Sequence, residues 1–423
     1  MRDGSNAGGQ PRLTRQLTTR DAVVIGLGSM VGAGVFAAVG PAAEAAGAGL
    51  LIGLVVAAVV AYCNATSSAQ LAAVYPESGG TYVYGRRQLG PFWGYLAGAG
   101  FVVGKTASCA AMALTFGAYA SPALARPLAV GAVVACAAVN ATGVRKTAAL
   151  TRAVVAIVFA ALTAVVVAAL LSGHSDVGNL DDLGVGGARG ILQAAGLLFF
   201  AFAGYARIAT LGEEVVEPQR TIPRAIPLAL GITLGVYAVV AVAALLAAGP
   251  QRLASSPAPL ATAVDPGRLA VLLPAVRIGA TVASLGVLLS LTVGVSRTLF
   301  AMARNGELPA FLAAVHPRRN VPHRAEVTVG VLVVALVLAV DLRGAIGFSS
   351  FTVLVYYAIT NASAWTLPDD RRRWPRWLAA LGLVGCAVLA LSLPPPSVVS
   401  GAGVLALAAV VWFVGPPRRT SPR

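Results

Sequence analysis

The sequence predicts an all-α polytopic membrane protein with about twelve transmembrane helices. Hydrophobic residues make up 57% of the 423 residues and charged residues only 11%, whereas a soluble domain carries about 25% charged residues. Apolar runs of about 20 residues, the length that crosses a bilayer, recur along almost the whole chain. These two observations exclude a soluble domain.

The position of the positive charge is a third observation. The net charge is +15. When the N-terminus is placed inside and the chain alternates through the spans, most of the lysines and arginines lie in inner loops and tails. This asymmetry follows the positive-inside rule, so nucleic acid is not expected as a partner. We expect a multi-pass protein in the lipid bilayer of the cell membrane, with both termini in the cytoplasm.

Hydropathy and helix breakers set the approximate bounds of the twelve spans. They are residues 22–46, 49–73, 92–118, 128–143, 150–172, 191–211, 224–248, 270–302, 325–341, 344–366, 376–393 and 398–415. Because the number is even, residues 1–20 and 416–423 form tails on the same side.

Two of these spans are interrupted. Span 1 has five glycines in residues 26–40, and span 6 breaks at Ala203-Gly204. Span 1 is the first of spans 1–5, and span 6 is the first of spans 6–10. Because each of these two units has an odd number of spans, the units have opposite orientations in the membrane. Interrupted helices in matching positions of inverted repeats are typical of secondary-transporter binding sites. Glycines in membrane helices also allow close helix packing, and both explanations stay open for span 1.

Four separated motifs carry a resemblance to a known family. They are GSMVGAGVF followed by Gly40-Pro41 in span 1, YPESGGTY in residues 75–82, FFAFAGY with EEVVEPQRTIPRAI around the end of span 6, and SRTLFAMARNGELP in residues 296–309. In this order, over about residues 20–365, they resemble the amino acid–polyamine–organocation (APC) superfamily of permeases. The set is specific, although no single motif is.

The resemblance implies a leucine-transporter-like fold of five plus five helices. The core would be residues 21–366, with repeats at about 22–172 and 191–366, and two peripheral helices would lie in residues 367–415. It also implies a secondary active transporter that moves an amino acid by alternating access. Such a protein makes and breaks no bonds, so no catalytic residue, cofactor or metal is expected.

A substrate site is implied by the same resemblance. The unwound part of span 1 would meet the substrate carboxylate, because the following half-helix offers free N–H groups and its positive dipole end. Carbonyls of span 1 and of the span 6 break would meet the amino group. The implied substrate-binding residues are Met30, Val31, Gly32, Ala33, Gly34, Phe200, Phe202, Ala203, Gly204 and Arg207.

Three of these residues have alternative explanations. Phe200 and Phe202 are candidates for an aromatic lid over the substrate, but packing against the core or lipid explains them equally well. Arg207, three residues past the break, faces either the substrate or the inner gate.

Lys105 lies near the middle of span 3, about twelve residues or roughly 18 Å from either end. A lysine side chain does not reach the interface over that distance, so Lys105 faces the protein interior or water. The chain has only one other lysine, Lys146, and uses arginine elsewhere. Lysine can lose its proton when buried and arginine cannot. We predict that Lys105 couples transport to protons; a fixed cation neutralising a substrate carboxylate or a buried partner stays open.

An inner gate is predicted at the end of span 6. Glu213 and Glu214 would pair there with Arg297 or with the start of span 1 near Arg20. A solvated helix end before a turn at Pro218 explains the two acids as well.

The expected substrate is a neutral or acidic amino acid. Lys105 and Arg207 lie in spans 3 and 6, and no acid lies in the core of spans 3, 6 or 8. Like charges some 4 Å apart cost about 4 kcal/mol at an effective dielectric constant of 20, which disfavours a cationic substrate. The alternatives are an exchanger without proton coupling and a membrane sensor that binds amino acids without transport. An enzyme is not expected, because the three histidines lie in loops without metal-ligand spacing.

Overall fold

The protein consists of α-helices joined by short loops. In the computed structural model the described residues are 17–75, 77, 79–141, 148–171, 173, 175–205, 208, 214–265, 269–317 and 321–414. Within these residues the only extended pairing is an isolated bridge between Leu17 and Val215. The prediction of an all-α polytopic membrane fold is confirmed.

Fifteen α-helices lie in the described part of the chain. They are α1 (Thr19–Met30), α2 (Ala33–Ala46), α3 (Leu50–Val74), α4 (Thr81–Gln88), α5 (Pro91–Ala120), α6 (Ala125–Ala141), α7 (Ala148–Leu171), α8 (Gly187–Phe202), α9 (Pro218–Ser255), α10 (Pro259–Val264), α11 (Leu273–Arg304), α12 (His323–Ala339), α13 (Leu342–Trp365), α14 (Arg376–Ser392) and α15 (Pro395–Val414).

The helices follow the predicted spans. Among the described residues, nine helical stretches are long and apolar enough to cross a membrane. Within the described residues each predicted span coincides with one helix, except that span 1 is divided into α1 and α2 and that α8 ends at Phe202, inside span 6. The short helices α4 and α10 lie between spans.

The interrupted spans lie in the middle of the bundle. Helix α2 contacts α3, α5, α8, α9 and α11, and its residues 33–43 are all buried. Helix α8 is continued by a 3-10 turn at Ala203–Tyr205 and packs against α2, α3, α13 and α14. The two breaks are therefore enclosed by protein.

Helix α1 begins with a capping box, which fixes the entry of the chain into the bundle. The Thr18 hydroxyl donates to the Asp21 carboxylate at 2.7 Å, and the Asp21 N–H donates back to the hydroxyl at 3.4 Å. The Thr18 N–H also donates to this carboxylate, at 3.0 Å, so the N–H groups of Thr18 and Asp21 are both satisfied. The hydrogen bonds from the Thr18 side chain and backbone lower the pKa of the Asp21 carboxyl.

The segment before α1 is hydrogen-bonded to the segment after span 6. Both segments lie at one end of the bundle, here called the Leu17 end. The Leu17 N–H donates to the Glu214 carbonyl at 3.1 Å, and the Val216 N–H donates to the Leu17 carbonyl at 2.9 Å. These two bonds hold the Leu17 ends of both interrupted spans together.

A polar cluster around the buried Glu307 connects α4 with the end of α11 at the Leu17 end. Glu307, whose side chain is 2% exposed, forms an ion pair with Arg86 and accepts a hydrogen bond from the Tyr82 hydroxyl at 2.8 Å. The Asn305 amide donates to the same hydroxyl at 2.6 Å, and the Arg86 guanidinium lies 5.0 Å from the Tyr82 ring centre. We call these four residues the Glu307 cluster. It joins the YPESGGTY and ARNGELP motifs in space.

Breaking this cluster is expected to destabilise the protein far more than breaking a nearby exposed pair. Arg86→Ala leaves the Glu307 carboxylate buried without its cation, which costs about 3 kcal/mol, the lower end for buried pairs, because Arg86 is 35% exposed. Arg87→Ala removes only an exposed pair with Glu77, worth less than about 1 kcal/mol. Thermal unfolding of the purified variants in detergent measures both. Equal melting temperatures for the two variants would contradict the structural role of the cluster.

The opposite end of the bundle, here called the Glu44 end, carries a second ion pair. Glu44 near the end of α2 pairs with Arg343 at the start of α13. Near the end of α5, the Tyr119 hydroxyl donates to the Phe36 carbonyl at 3.0 Å and accepts from the Leu260 N–H of α10 at 3.1 Å. Helix α10 is thereby fixed against α2 and α5.

Candidate functional site

The first break consists of Val31 and Gly32. Val31 has φ −76° and ψ 56°, and Gly32 has φ −114° and ψ −144°, so neither continues the helix. Gly32 offers no side chain to cap α2, and the first N–H groups of any α-helix lack intrahelical acceptors. Val31 and Ala33 are at most 1% exposed. Free N–H groups and the positive end of the α2 dipole therefore lie inside the protein.

The second break lies directly against the first. A Cβ added to Gly204 would overlap the Ser29 backbone, well inside the 3.0 Å that separates real Cβ atoms from other heavy atoms. A Cβ added to Gly34 would lie 2.7 Å from the Ala201 Cα atom. Glycines 34 and 204 therefore allow the two interrupted spans to touch. The predicted role of these glycines in leaving space for a ligand stays a prediction.

Other glycines of span 1 also serve helix packing, the alternative that the sequence left open. A Cβ on Gly32 would lie 2.5 Å from the Val287 side chain of α11, and one on Gly28 would lie 3.0 Å from the Val155 side chain of α7. Gly32 thus combines a non-helical conformation with a close helix contact.

Two tyrosine hydroxyls bind backbone carbonyls at the breaks. The Tyr237 hydroxyl of α9 lies 2.5 Å from the Met30 carbonyl oxygen and 3.0 Å from that of Ala201. The Tyr357 hydroxyl of α13 donates to the Ala203 carbonyl at 3.2 Å. The sequence prediction missed both residues. The available signal was a tyrosine, with its polar tip, in the middle of an apolar span.

Lys105 is buried in α5, with 8% of its surface exposed. One turn further along α5, the Ser108 and Ser349 hydroxyls are 2.7 Å apart, and the Cys109 thiol lies 3.9 Å from the Thr292 hydroxyl. Polar side chains of α13 and α11 therefore flank α5 at this depth. No carboxylate among the described residues forms an ion pair with Lys105.

The two phenylalanines of span 6 have different surroundings. Phe202 is fully buried, and its ring centre lies 5.1 Å from that of Tyr237. Phe200 is partly buried against the core. The lid stays a prediction for both residues.

The predicted gate is only partly within the described structure. Arg207 and Glu213 lie outside the described residues. Glu214 is partly buried and its carbonyl accepts the Leu17 N–H. Arg297 is exposed on α11 and interacts electrostatically with the buried Glu326. No ion pair between Glu214 and Arg297 is present in the described part of the chain, and the gate stays a prediction.

The sequence as a whole matches a known family. A sequence profile described as amino acid permease matches residues 17–423. The chain belongs to the amino acid permease family. The resemblance to the APC superfamily is thereby confirmed.

Individual relatives of this permease agree with the family. Uncharacterized transporters of Mycobacterium bovis and Mycobacterium tuberculosis are 64% identical over 403 residues, covering 95% of this chain and 91% of the relative. Cationic amino acid transporter 4 of Homo sapiens is 27% identical over 377 residues, covering 83% of this chain and 59% of the relative. The permease is therefore a multi-pass membrane transporter protein of this family.

Proposed function

We propose that the permease moves a neutral or acidic amino acid across the cytoplasmic membrane by alternating access, coupled to protons through Lys105. The observation that carries this proposal is the contact between two interrupted spans in the buried centre of the bundle. Irregular backbone at membrane depth is tolerated where it is buried or lines a cavity. The repeats at about 22–172 and 191–366, and a cytoplasmic location of both termini, are part of the proposal.

The substrate carboxylate would bind at the start of α2. The N–H groups after Gly32 are not capped by a side chain, and helix N-termini are suited to anions. The substrate ammonium would bind backbone carbonyls at the ends of α1 and α8, where the negative ends of two helix dipoles meet. An α-amino acid carries both charges on neighbouring atoms, which fits two breaks in contact.

The charge of Lys105 supports a substrate without net positive charge. Its ammonium is buried and is not paired with a carboxylate in the described structure. A second cation about 4 Å away would cost about 4 kcal/mol at an effective dielectric constant of 20. A substrate carboxylate near Lys105 would instead be stabilised.

A cationic amino acid is the second candidate substrate. The observation that favours it is the similarity to proteins named cationic amino acid transporters in Homo sapiens and Arabidopsis thaliana, at 26–27% identity. Proteins that share a fold at this level of identity can bind substrates of different charge, because the preferred charge depends on a few side chains in the binding site.

Uptake into proteoliposomes tests the proposal. The wild-type permease is reconstituted, and uptake of radiolabelled L-alanine, L-leucine, L-glutamate, L-arginine and L-lysine is measured with and without an inward proton gradient. We expect one neutral or acidic amino acid to accumulate above equilibrium only with the gradient. Empty liposomes are the control.

The other outcomes identify the alternatives. Uptake that requires an internal amino acid and ignores the gradient would identify an exchanger. Accumulation of L-arginine or L-lysine alone would identify the cationic substrate class. Saturable binding to the purified protein without any flux would identify a sensor.

A further inference from the structure

Tyr237 lies between the ends of the two interrupted spans. It belongs to α9, yet its hydroxyl oxygen is 2.5 Å from the carbonyl oxygen of Met30 in α1 and 3.0 Å from that of Ala201 in α8. Its side chain is 3% exposed. A tyrosine hydroxyl has a single hydrogen, so the two carbonyls share the hydrogen of this hydroxyl, and the Met30 carbonyl also accepts the Gly32 N–H at 2.7 Å.

The positions of the two carbonyls explain why a shared donor is needed. Met30 is the last residue of α1, and Ala201 lies in the last turn of α8. The carbonyls of a helix's last turn lack regular intrahelical donors and carry the negative end of the dipole. Two such ends repel each other when they are buried side by side. A hydroxyl hydrogen between them offsets this repulsion.

Further contacts hold this face of α9 against the ends of α1 and α8. Thr233, one turn before Tyr237, has its hydroxyl 3.9 Å from the Met30 sulfur. The Tyr237 ring packs on Phe202, the last residue of α8, at 5.1 Å between ring centres. The orientation of Tyr237 is therefore fixed by contacts with both interrupted spans.

We propose that Tyr237 is a positioning residue, which holds the Met30 and Ala201 carbonyls at one fixed separation and thereby sets the site for the substrate ammonium. The second half of this inference rests on the proposed function, because it takes the ammonium to bind at the ends of α1 and α8. The first half concerns the protein alone. The two halves are tested by separate measurements.

The variant Tyr237→Phe removes only the hydroxyl. Tyr84→Phe is the matched control, because the Tyr84 side chain is 1% exposed and its hydroxyl has no hydrogen-bond partner among the described residues. Both substitutions delete one buried oxygen from a tyrosine, and only Tyr237 connects the breaks.

Hydrogen–deuterium exchange on the reconstituted permease tests the connection between the breaks. In Tyr237→Phe we expect faster amide exchange in residues 24–36 and in residues 196–205, by about tenfold, the effect of one lost hydrogen bond. Tyr84→Phe is expected to leave both segments unchanged. Unchanged exchange in Tyr237→Phe, or a change in only one segment, would overturn the inference.

Uptake kinetics test the link to the substrate. For L-alanine, L-leucine or L-glutamate, whichever is transported, we expect Tyr237→Phe to raise KM about tenfold with less than a threefold change in kcat. For the N-methyl derivative, which offers fewer N–H donors, the KM is expected to change less than threefold. Equal changes in KM for the two compounds would show that Tyr237 does not position the ammonium. If the wild type takes up no amino acid, the proposed function fails, and the exchange measurement still decides the role of Tyr237 between the breaks.

Discussion

Lys105→Arg is expected to abolish proton-driven accumulation while the protein still folds and exchanges substrate. Arginine keeps the positive charge but does not release its proton at accessible pH. If Lys105 carries the coupling proton, the ratio of internal to external concentration of the transported amino acid falls at least tenfold, to about one. Counterflow, the exchange of external for internal substrate, continues. Accumulation ratios and counterflow in proteoliposomes with an inward proton gradient measure these two quantities.

Two further variants make this result interpretable. Lys146→Arg changes the only other lysine, in the predicted loop between spans 4 and 5, and is expected to behave as wild type. Lys105→Ala removes the charge altogether and is expected to equilibrate substrate without concentrating it. If Lys105→Arg concentrates substrate as well as wild type with the gradient, Lys105 is a fixed cation and another group carries the coupling proton.

Gly204→Ala is expected to abolish uptake and lower the melting temperature. The added Cβ would overlap the Ser29 backbone, and backbone does not move aside as a flexible side chain does. Overpacking of a buried contact costs about 1–3 kcal/mol or more. Since the contact joins the two breaks, the substitution separates the groups proposed to bind the carboxylate and the ammonium. Uptake is expected to fall more than tenfold.

Gly235→Ala is the matched control for Gly204→Ala. Gly235 lies in α9, and a Cβ there would meet no atom of the described residues within 4 Å. Alanine is favoured over glycine in a helix by up to about 1 kcal/mol, so this variant is expected to be as stable as wild type or more stable. Wild-type uptake by Gly204→Ala would mean that the contact between the breaks is not needed for transport.

The spans and the positions of the breaks could be predicted from the sequence. Apolar length and glycine clusters are local properties, and a helix in a bilayer satisfies its hydrogen bonds within one segment. The break at Gly32 follows from such a local signal. The buried position of Lys105 follows from its distance to both ends of span 3.

The partners across the bundle could not be predicted in the same way. The bonds from Tyr237 to Met30 and Ala201 depend on the relative rotation of three helices, which hydropathy does not specify. The Glu307 cluster depends on the relative position of helix α4 and the end of α11, which are far apart in sequence. The contact of Gly204 with Ser29 could not be predicted either. A glycine at a helix break is compatible both with space for a ligand and with close packing of two helices, and the sequence does not distinguish the two.

The Glu307 cluster also has a consequence for the order of assembly during synthesis. Arg86 and Glu307 are separated by 221 positions in the chain. At about 5–20 residues per second of translation, roughly 10–45 s pass after Arg86 is made before its carboxylate partner exists. During that interval Arg86 is a positive charge without its carboxylate partner, and in the orientation proposed above it would act as a topogenic charge that keeps its loop on the cytoplasmic side. Only after α11 has inserted does the same guanidinium become a structural group, so defects in this cluster are expected to appear as degradation of newly made chains.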